Sequence, residues 1–277
     1  MDTLLHATLK RELWLPAKMM QIMTYNVRYA NDGIRKVRHW ANRLPLMAEH
    51  IRRPSIVGLQ EVMPSQLADI REAMEGYASI GAGRIDGTQG GEHVPIFYKK
   101  DQWEEADGGH FWLSATPETP GSRTWGNRIP RMCTWARLID RKSGCGIYIY
   151  NTHFDHLSWK SRRLSAQFLL DTINGREHPS DPVALMGDLN CKPGSTPMKL
   201  LLADKTVLLD SFTMNDPDLA NSSTFNRWRM SKRGRRKIDY ILVSPNLKVM
   251  DSEILCIGQD AIAASDHNAV VITVDWP

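Results

Sequence analysis

Residues 182–193 read PVALMGDLNCKP, and this stretch decides the fold. Its apolar run, VALM, is too short for a helix and lies between a proline and a glycine, which predicts a strand of a sheet covered on both faces. Asp188 and Asn190 follow directly. Two residues apart on an extended backbone, they would point to the same side of the sheet and reach one site. The alternative is a polar turn, because Asp, Asn and Gly favour turns for local reasons.

The composition is that of an ordinary globular protein. The chain has 277 residues, 42% hydrophobic and 24% charged, so it is long enough to bury a substantial core. Short apolar runs alternate with amphipathic stretches and no long polar linker separates them, which predicts one α/β domain at residues 20–277 after an N-terminal extension, residues 1–19. No apolar window approaches the roughly 18 residues that cross a bilayer, so we expect no membrane span.

The cysteines and the N-terminus bear on location. The four cysteines show no CxxC spacing and are few for the length, which argues against a disulfide framework or a structural zinc site. The first 20 residues lack the continuous apolar core and small-residue cleavage site of a signal peptide. We therefore expect a cytoplasmic location, and a monomer is the simplest oligomeric state.

The positive charge is concentrated in one segment. The formal net charge is +4, yet seven basic residues and no acidic one lie between Arg227 and Lys237. One interpretation is a solvated loop. The other is a basic collar beside the active site, in which Lys232, Arg233, Arg235 and Arg236 would select a polyanion such as a nucleic acid.

The ends of the predicted strands carry oxygen-bearing side chains: Asn26, Glu61, the Asp188 and Asn190 pair, and Asp266 with His267. Carboxylate and amide oxygens suit Mg²⁺ or Mn²⁺ better than zinc. The chain has no HExxH, P-loop or GxSxG motif. Metal-assisted chemistry on a phosphate is therefore the leading class of function.

Six short motifs occur along the chain in a fixed order: YNVR at 25–28, LQE at 59–61, NTHFDH at 151–156, GDLN at 187–190, IDYI at 238–241 and SDH at 265–267. In this combination the sequence resembles the endonuclease/exonuclease/phosphatase superfamily from about residue 20 to the C-terminus. The resemblance implies a DNase I-like fold, an α/β (α+β) four-layer sandwich of two packed mixed β-sheets flanked by helices.

The resemblance also implies metal ligands. Glu61 would be the principal ligand of Mg²⁺ or Mn²⁺, with Asn26 and Asp266 completing or supporting the shell of the ion. Asp188 and Asn190 would orient the attacking water and the scissile phosphate.

Further roles follow from the same motifs. His267 would act with Asp239, whose carboxylate fixes the tautomer of the imidazole. His153 would contact a phosphate oxygen and be steadied by Glu92. Arg131 is a weaker candidate for a phosphate clamp.

In-line attack of water on phosphorus needs a proton acceptor, donors for the equatorial oxygens and a charge at the leaving oxygen, and these residues supply all three. Phosphodiester hydrolysis, with nucleic acid among the substrates considered, is the leading hypothesis. The alternative is a phosphomonoesterase acting on a sugar phosphate or another small phosphoester, since one catalytic frame serves many substrates. A nucleic-acid-binding protein with an inactive site predicts a gap in the catalytic set, and the sequence shows none.

Overall fold

Two six-stranded mixed sheets face each other at the centre of the structure, and helices cover the outer face of each. The computed structural model describes residues 18–277 except 32, 34, 213–221, 234–235 and 261. The predicted four-layer α/β sandwich is confirmed. The predicted N-terminal extension lies outside the described residues apart from its last two, which already belong to the first strand.

The first sheet has its only parallel pair of described strands, β1 and β2, at its centre. Met47 and Ile51 of one helix and Leu67 and Ile70 of another pack on its outer face. The sheet contains, in spatial order, β11 (Val249–Leu255), β14 (Ala269–Trp276), β1 (Lys18–Asn26), β2 (Ile56–Gln60), β4 (Ile96–Lys99) and β3 (Tyr77–Ile80). The two helices are α1 (Trp40–Ile51) and α2 (Pro64–Ala73).

The second sheet repeats this arrangement with the parallel pair β7 and β8. Ala166, Leu169 and Met198 belong to the helices on its outer face. Its strands, in spatial order, are β5 (Trp103–Trp112), β6 (Met132–Asp140), β7 (Gly146–His153), β8 (Val183–Asp188), β10 (Asp239–Val243) and β9 (Leu209–Asp210). Its helices are α3 (Trp159–Asn174) and α4 (Thr196–Leu201). Two short strands, β12 (Gly258–Gln259) and β13 (Ile262–Ala263), pair with each other outside both sheets.

The central strands are buried on both faces. Every residue of β8 is buried, with Met186 facing the other sheet and Leu185 facing the helices. This confirms the strand predicted from VALM. The sequence patterns did not predict β5 and β11, which lie at the edges of the two sheets and carry exposed charged residues. Among the described residues, no helix is long and apolar enough to cross a bilayer.

The close approach of β7 and β8 requires a glycine at position 187. Its φ is +143°, and a Cβ there would lie 1.9 Å from the carbonyl oxygen of Thr152. A side chain would push the two strands apart at the point where β8 delivers Asp188. The glycine of GDLN therefore serves the approach of two strands.

Asn151 joins the two sheets inside the core. Its side chain is fully buried, and its Nδ2 donates to the carbonyl oxygens of Leu59 at 2.8 Å and Pro95 at 2.9 Å. Its Oδ1 accepts from Nε2 of Gln60 at 2.7 Å. The amide therefore ties β7 to β2 behind the catalytic end of both strands.

We expect Asn151→Ala to lower the free energy of unfolding by about 1–3 kcal/mol, because buried polar groups on β2 lose their partner. Urea denaturation of the parent and the variant measures the change. Asn174→Ala, at an exposed position at the end of α3, is the control and should change stability little. Equal losses in both variants would show that the bridge between the sheets contributes nothing specific.

Candidate active site

The strand ends of both sheets meet at one edge. Asn26 pairs with Gln60, and Asp188 lies opposite both His153 and Asp239. A cavity of ≈ 760 Å³ opens at this edge. Asn26 and Asp239 do not line the cavity but contact residues that do. The lining includes eight of the predicted residues: Glu61, Glu92, Arg131, His153, Asp188, Asn190, Asp266 and His267.

Asn26 connects carboxylates from the two sheets. Its Nδ2 donates to Oε1 of Glu61 and to Oδ2 of Asp188, each at 3.1 Å. Its Oδ1 accepts from the backbone N–H of Arg28 at 3.0 Å. In this arrangement Asn26 orients the two carboxylates and supports the predicted ion site, and direct ligation would require the amide to turn over.

Glu61 and Asp266 present carboxylate oxygens on either side of Arg28. Nη1 of Arg28 lies 3.4 Å from Oε2 of Glu61, and its Nε lies 3.8 Å from Oδ2 of Asp266. Oδ1 of Asp266 is buried and has no hydrogen-bond partner among the described residues. Burial first, and then the charge of Glu61, raises the pKa of Asp266. Two buried carboxylates with one free oxygen fit a hard divalent cation, because carboxylate oxygens are the ligands that Mg²⁺ and Mn²⁺ prefer.

His267 lies between two further carboxylates. Its Nδ1 is 2.9 Å from Oδ2 of Asp239, and its Nε2 is 3.7 Å from Oδ2 of Asp188. Burial alone would lower the pKa of His267, but the two carboxylates outweigh burial and raise it. Burial and the neighbouring Asp239 also raise the pKa of Asp188.

Asp188, Asp239 and His267 are also close enough to hold a metal ion, with one ligand atom of each lying within 4.8 Å of the others. Both ring nitrogens of His267 already face a carboxylate, Nδ1 at 2.9 Å from Asp239 and Nε2 at 3.7 Å from Asp188, so the ring has partners for both. Glu61 and Asp266, with one carboxylate oxygen unpaired, therefore fit an ion better, and Asp188, Asp239 and His267 are placed so that a proton could pass between them.

His153 and Arg131 line the cavity, and both have nitrogens without a hydrogen-bond partner among the described residues. Burial, and then the charge of Arg131, holds the pKa of His153 well below its usual range, so its ring is neutral. Nη2 of Arg131 lies 3.0 Å from Nδ1 of His156, and its Nε lies 3.7 Å from Oδ2 of Asp155. Nε and Nη1 of Arg131 are buried without hydrogen-bond partners among the described residues. Unsatisfied cationic donors of this kind fit an anion such as phosphate.

Asp188 and Asn190 do share one site, but not for the reason expected from an extended backbone. Asn190 has φ +49°, in the left-handed region, and its backbone N–H donates to Oδ1 of Asp188 at 3.0 Å. Its Nδ2 donates to the carbonyl oxygen of Phe154 at 3.1 Å. A tight turn, with Leu189 buried in the core, therefore directs both side chains to the cavity.

Glu92 does not steady His153 as expected. Its carboxylate forms a bidentate ion pair with Arg84, at 2.6 and 2.8 Å, and no hydrogen bond joins it to His153 in the described part of the chain. Arg84 was missed, as were Tyr29 and Lys192, which also line the cavity, whereas Arg236 had been expected beside it as part of the collar. None of these residues had been assigned a place in the catalytic set from the six motifs.

The basic segment forms a collar only in part. Lys237 is buried and lies 2.6 Å from Asp210, and Lys232 lies 3.7 Å from Glu253 on β11. Arg236 lines the cavity, whereas Arg235 lies outside the described residues. Of the three expected cations with a described position, Lys232 has a partner elsewhere, Arg236 lines the cavity and Arg233 is exposed.

The arrangement of two mixed sheets with acids, amides and histidines at one edge is that of a known family. The model of the Endonuclease/Exonuclease/phosphatase family matches residues 23–267, which include every predicted site residue. The chain belongs to this family. As a family member it is a hydrolase that acts on phosphoesters. No curated protein sequence matches the chain.

Solved structures with the same fold include bacterial family members of similar length. A mannosyl-6-phosphatase from Bacteroides thetaiotaomicron is 31% identical, with a TM-score of 0.85 over 93% of this chain and 100% of that one. A family member from Bacteroides vulgatus is 30% identical, with a TM-score of 0.86 over 94% and 100%. D. rerio TDP2 complexed with a single-strand DNA product is 15% identical, with a TM-score of 0.74 over 93% and 99%, and shares the fold.

Proposed function

We propose that this family member is a Mg²⁺- or Mn²⁺-dependent phosphomonoesterase that hydrolyses a small phosphorylated alcohol. The observation that carries this proposal is the cavity of ≈ 760 Å³, because its size suits a small molecule and its lining combines cationic donors with an ion site. A monoester presents three oxygens and up to two negative charges to such a lining, whereas a diester presents fewer of both.

The residues of the chain divide the reaction between them. Arg131, His153 and Asn190 bind and orient the phosphoryl oxygens by donating hydrogen bonds. Asp188 accepts the proton of the attacking water, and Asp239 holds the imidazole of His267 in position beside it. Glu61 and Asp266 would hold the divalent ion, with Asn26 orienting Glu61, and the ion would supply positive charge at the oxygen that becomes negative.

The mannosyl-6-phosphatase supports a monoester substrate, because it is 31% identical and this chain covers all of it. The second candidate is phosphodiester hydrolysis, including that of a nucleic acid, and the exposed cations Lys192 and Arg236 at one side of the cavity favour it. TDP2, at 15% identity, supports the fold and adds nothing about the substrate. The monoester is therefore preferred.

We expect the protein to hydrolyse p-nitrophenyl phosphate at least about 10² times faster, in kcat/KM, than bis-p-nitrophenyl phosphate when Mg²⁺ is present. EDTA should abolish both activities. Asp188→Asn, which removes the proton acceptor, serves as the inactive control for contaminating phosphatases. A preference for the diester, or for a DNA or RNA oligonucleotide added to the same assay, would place phosphodiester hydrolysis ahead.

We also propose a cytoplasmic location and a monomeric state. The four cysteines, all within the described residues, are unpaired, and two of them, Cys133 and Cys191, are buried. Free thiols in a core suit a reducing compartment. Cell fractionation and light scattering of the purified protein would test the two statements.

A further inference from the structure

We propose that the ion pair of Arg84 and Glu92 recognises the alcohol part of the substrate, and that this alcohol is a neutral polyhydroxylated group such as a sugar. The inference rests on the proposed phosphomonoesterase function and names a substrate class for the same site. It gives a role to two residues that line the cavity and take no part in the chemistry at phosphorus.

The pair has the geometry of a hydrogen-bonding platform. Nη1 of Arg84 lies 2.6 Å from Oε2 of Glu92, and Nη2 lies 2.8 Å from Oε1. Both side chains are 15% exposed, so the pair is mostly shielded but reaches the cavity. Each carboxylate oxygen keeps a free lone pair. The platform therefore offers acceptors at fixed positions beside a guanidinium.

The loop that carries the pair is held in place by hydrogen bonds. The backbone N–H of Arg84 donates to the carbonyl oxygen of Glu92 at 3.1 Å, and Nε1 of Trp112 donates to the carbonyl oxygen of Arg84 at 2.7 Å. The N–H of His93 donates to the carbonyl oxygen of Val62, the residue after Glu61, at 2.7 Å. Pre-organised groups lose little entropy when a ligand binds, so this wall suits specific recognition.

The pair lies between two cavities. Arg84, Glu92 and Tyr29 line the catalytic cavity, and they also line an adjoining cavity of ≈ 590 Å³. The other side chains of that second cavity, which include Asn31 and Met63, are uncharged. A substrate whose phosphate is held by Arg131 and His153 therefore has room to extend across the pair into a region without net charge.

The sign of the charges indicates what the pair binds. A carboxylate beside a phosphate site repels the phosphate, and Glu92 also neutralises Arg84, so the pair adds no net attraction for an anion. A hydroxyl group suits the pair, because it donates to the carboxylate and accepts from a guanidinium. Several hydroxyls on adjacent carbons are needed to use both partners, and a sugar provides them.

The experiment combines one variant with substrate analogues. The kcat/KM values of the parent and Glu92→Gln are compared with Mg²⁺ for a hexose 6-phosphate, for its monodeoxy analogues and for p-nitrophenyl phosphate. We expect Glu92→Gln to lose about 10–100-fold on the hexose phosphate, as removal of a hydrogen bond to a charged group predicts. We expect a loss below about threefold on p-nitrophenyl phosphate, which has no hydroxyl for the pair to bind.

For the parent, kcat/KM should be lower by a similar factor on one of the deoxy analogues than on the hexose phosphate. For Glu92→Gln, kcat/KM should be the same on both, because the missing hydroxyl and the missing carboxylate are the two halves of one contact. Glu104→Gln is the matched control, because it breaks an exposed ion pair with Arg141, at 2.9 Å, away from the cavity. Arg84→Lys keeps the positive charge but cannot form the bidentate contact with Glu92. It should also lose more kcat/KM on the hexose phosphate than on p-nitrophenyl phosphate, by a smaller factor than Glu92→Gln.

Equal losses on the hexose phosphate and on p-nitrophenyl phosphate would overturn the inference, because Glu92 would then act on the phosphate site. So would a parent that hydrolyses p-nitrophenyl phosphate but no deoxy-sensitive sugar phosphate, and that result would leave the phosphomonoesterase proposal intact. A parent that hydrolyses no monoester but cleaves a diester would overturn both. If Glu92→Gln fails to fold, Arg84→Lys replaces it in the first comparison, and the other two outcomes need only the parent and its substrate analogues.

Discussion

We expect Glu61→Gln to lower kcat/KM by about 10²–10⁴-fold and a high concentration of Mg²⁺ to restore part of the loss. Glu61 is 8% exposed and is held by Nδ2 of Asn26 at 3.1 Å and by the backbone N–H of Tyr29 at 3.2 Å. Glutamine removes a negative charge from the proposed ion site. Its NH₂ group would also face one of the two N–H donors that bind the carboxylate in the parent. The ion then binds more weakly, and mass action recovers part of the occupancy.

Binding of Mn²⁺, measured by titration calorimetry in the absence of substrate, separates this loss from an effect on chemistry. The dissociation constant should rise about tenfold or more in Glu61→Gln, because a carboxylate contributes far more to a divalent site than an amide. Glu72→Gln, at an exposed position on α2, is the matched control and should bind the ion like the parent. Full activity in EDTA, or an unchanged dissociation constant in Glu61→Gln, would contradict a metal site at this residue.

The parts of the site that lie at the ends of buried strands could be predicted from the sequence. An apolar run that stops at a polar residue marks the end of a strand, and Asn26, Glu61 and Asp188 all follow such runs. Parallel neighbours end at the same edge, so β1 with β2 and β7 with β8 bring these side chains to one face. Local pattern and topology therefore agree at these positions.

The contacts between the sheets could not be predicted in the same way. Nδ2 of Asn26 reaches Asp188 across the sandwich because the two sheets pack at a particular offset, which no single stretch of sequence encodes. The Arg84–Glu92 pair depends on a loop whose hydrogen bonds are made within the loop and to Val62 and Trp112. Edge strands such as β5 were missed because consecutive exposed residues, 104–107 in β5, break the apolar pattern.

Backbone conformation is a third feature that pattern analysis does not supply. Arg28, Glu61 and Asn190 have φ values of +58°, +60° and +49°, in a region that residues other than glycine rarely occupy. All three lie at the cavity. Conformations of this kind cost free energy and persist where the surrounding structure fixes them, as at active sites. The directions of these three side chains therefore depend on the folded environment.

Asp239→Asn and His267→Ala should each lower kcat by about 10²–10⁴-fold, and the double variant should be little worse than either single variant. The two residues act as one unit, because Nδ1 of His267 lies 2.9 Å from Oδ2 of Asp239 and both side chains are buried. Asparagine at position 239 removes the charge that raises the pKa of His267 and the acceptor that orients its ring, so the imidazole is lost to catalysis in either variant. Activities on p-nitrophenyl phosphate in a double-mutant cycle give the interaction energy between the two residues, and thermal unfolding checks that each variant folds.

The control cycle combines Asp239→Asn with His178→Ala. His178 precedes the start of β8, at the end of the strand opposite the site, so the two losses of activity should multiply. Multiplicative losses for Asp239→Asn and His267→Ala would show instead that the two side chains contribute independently.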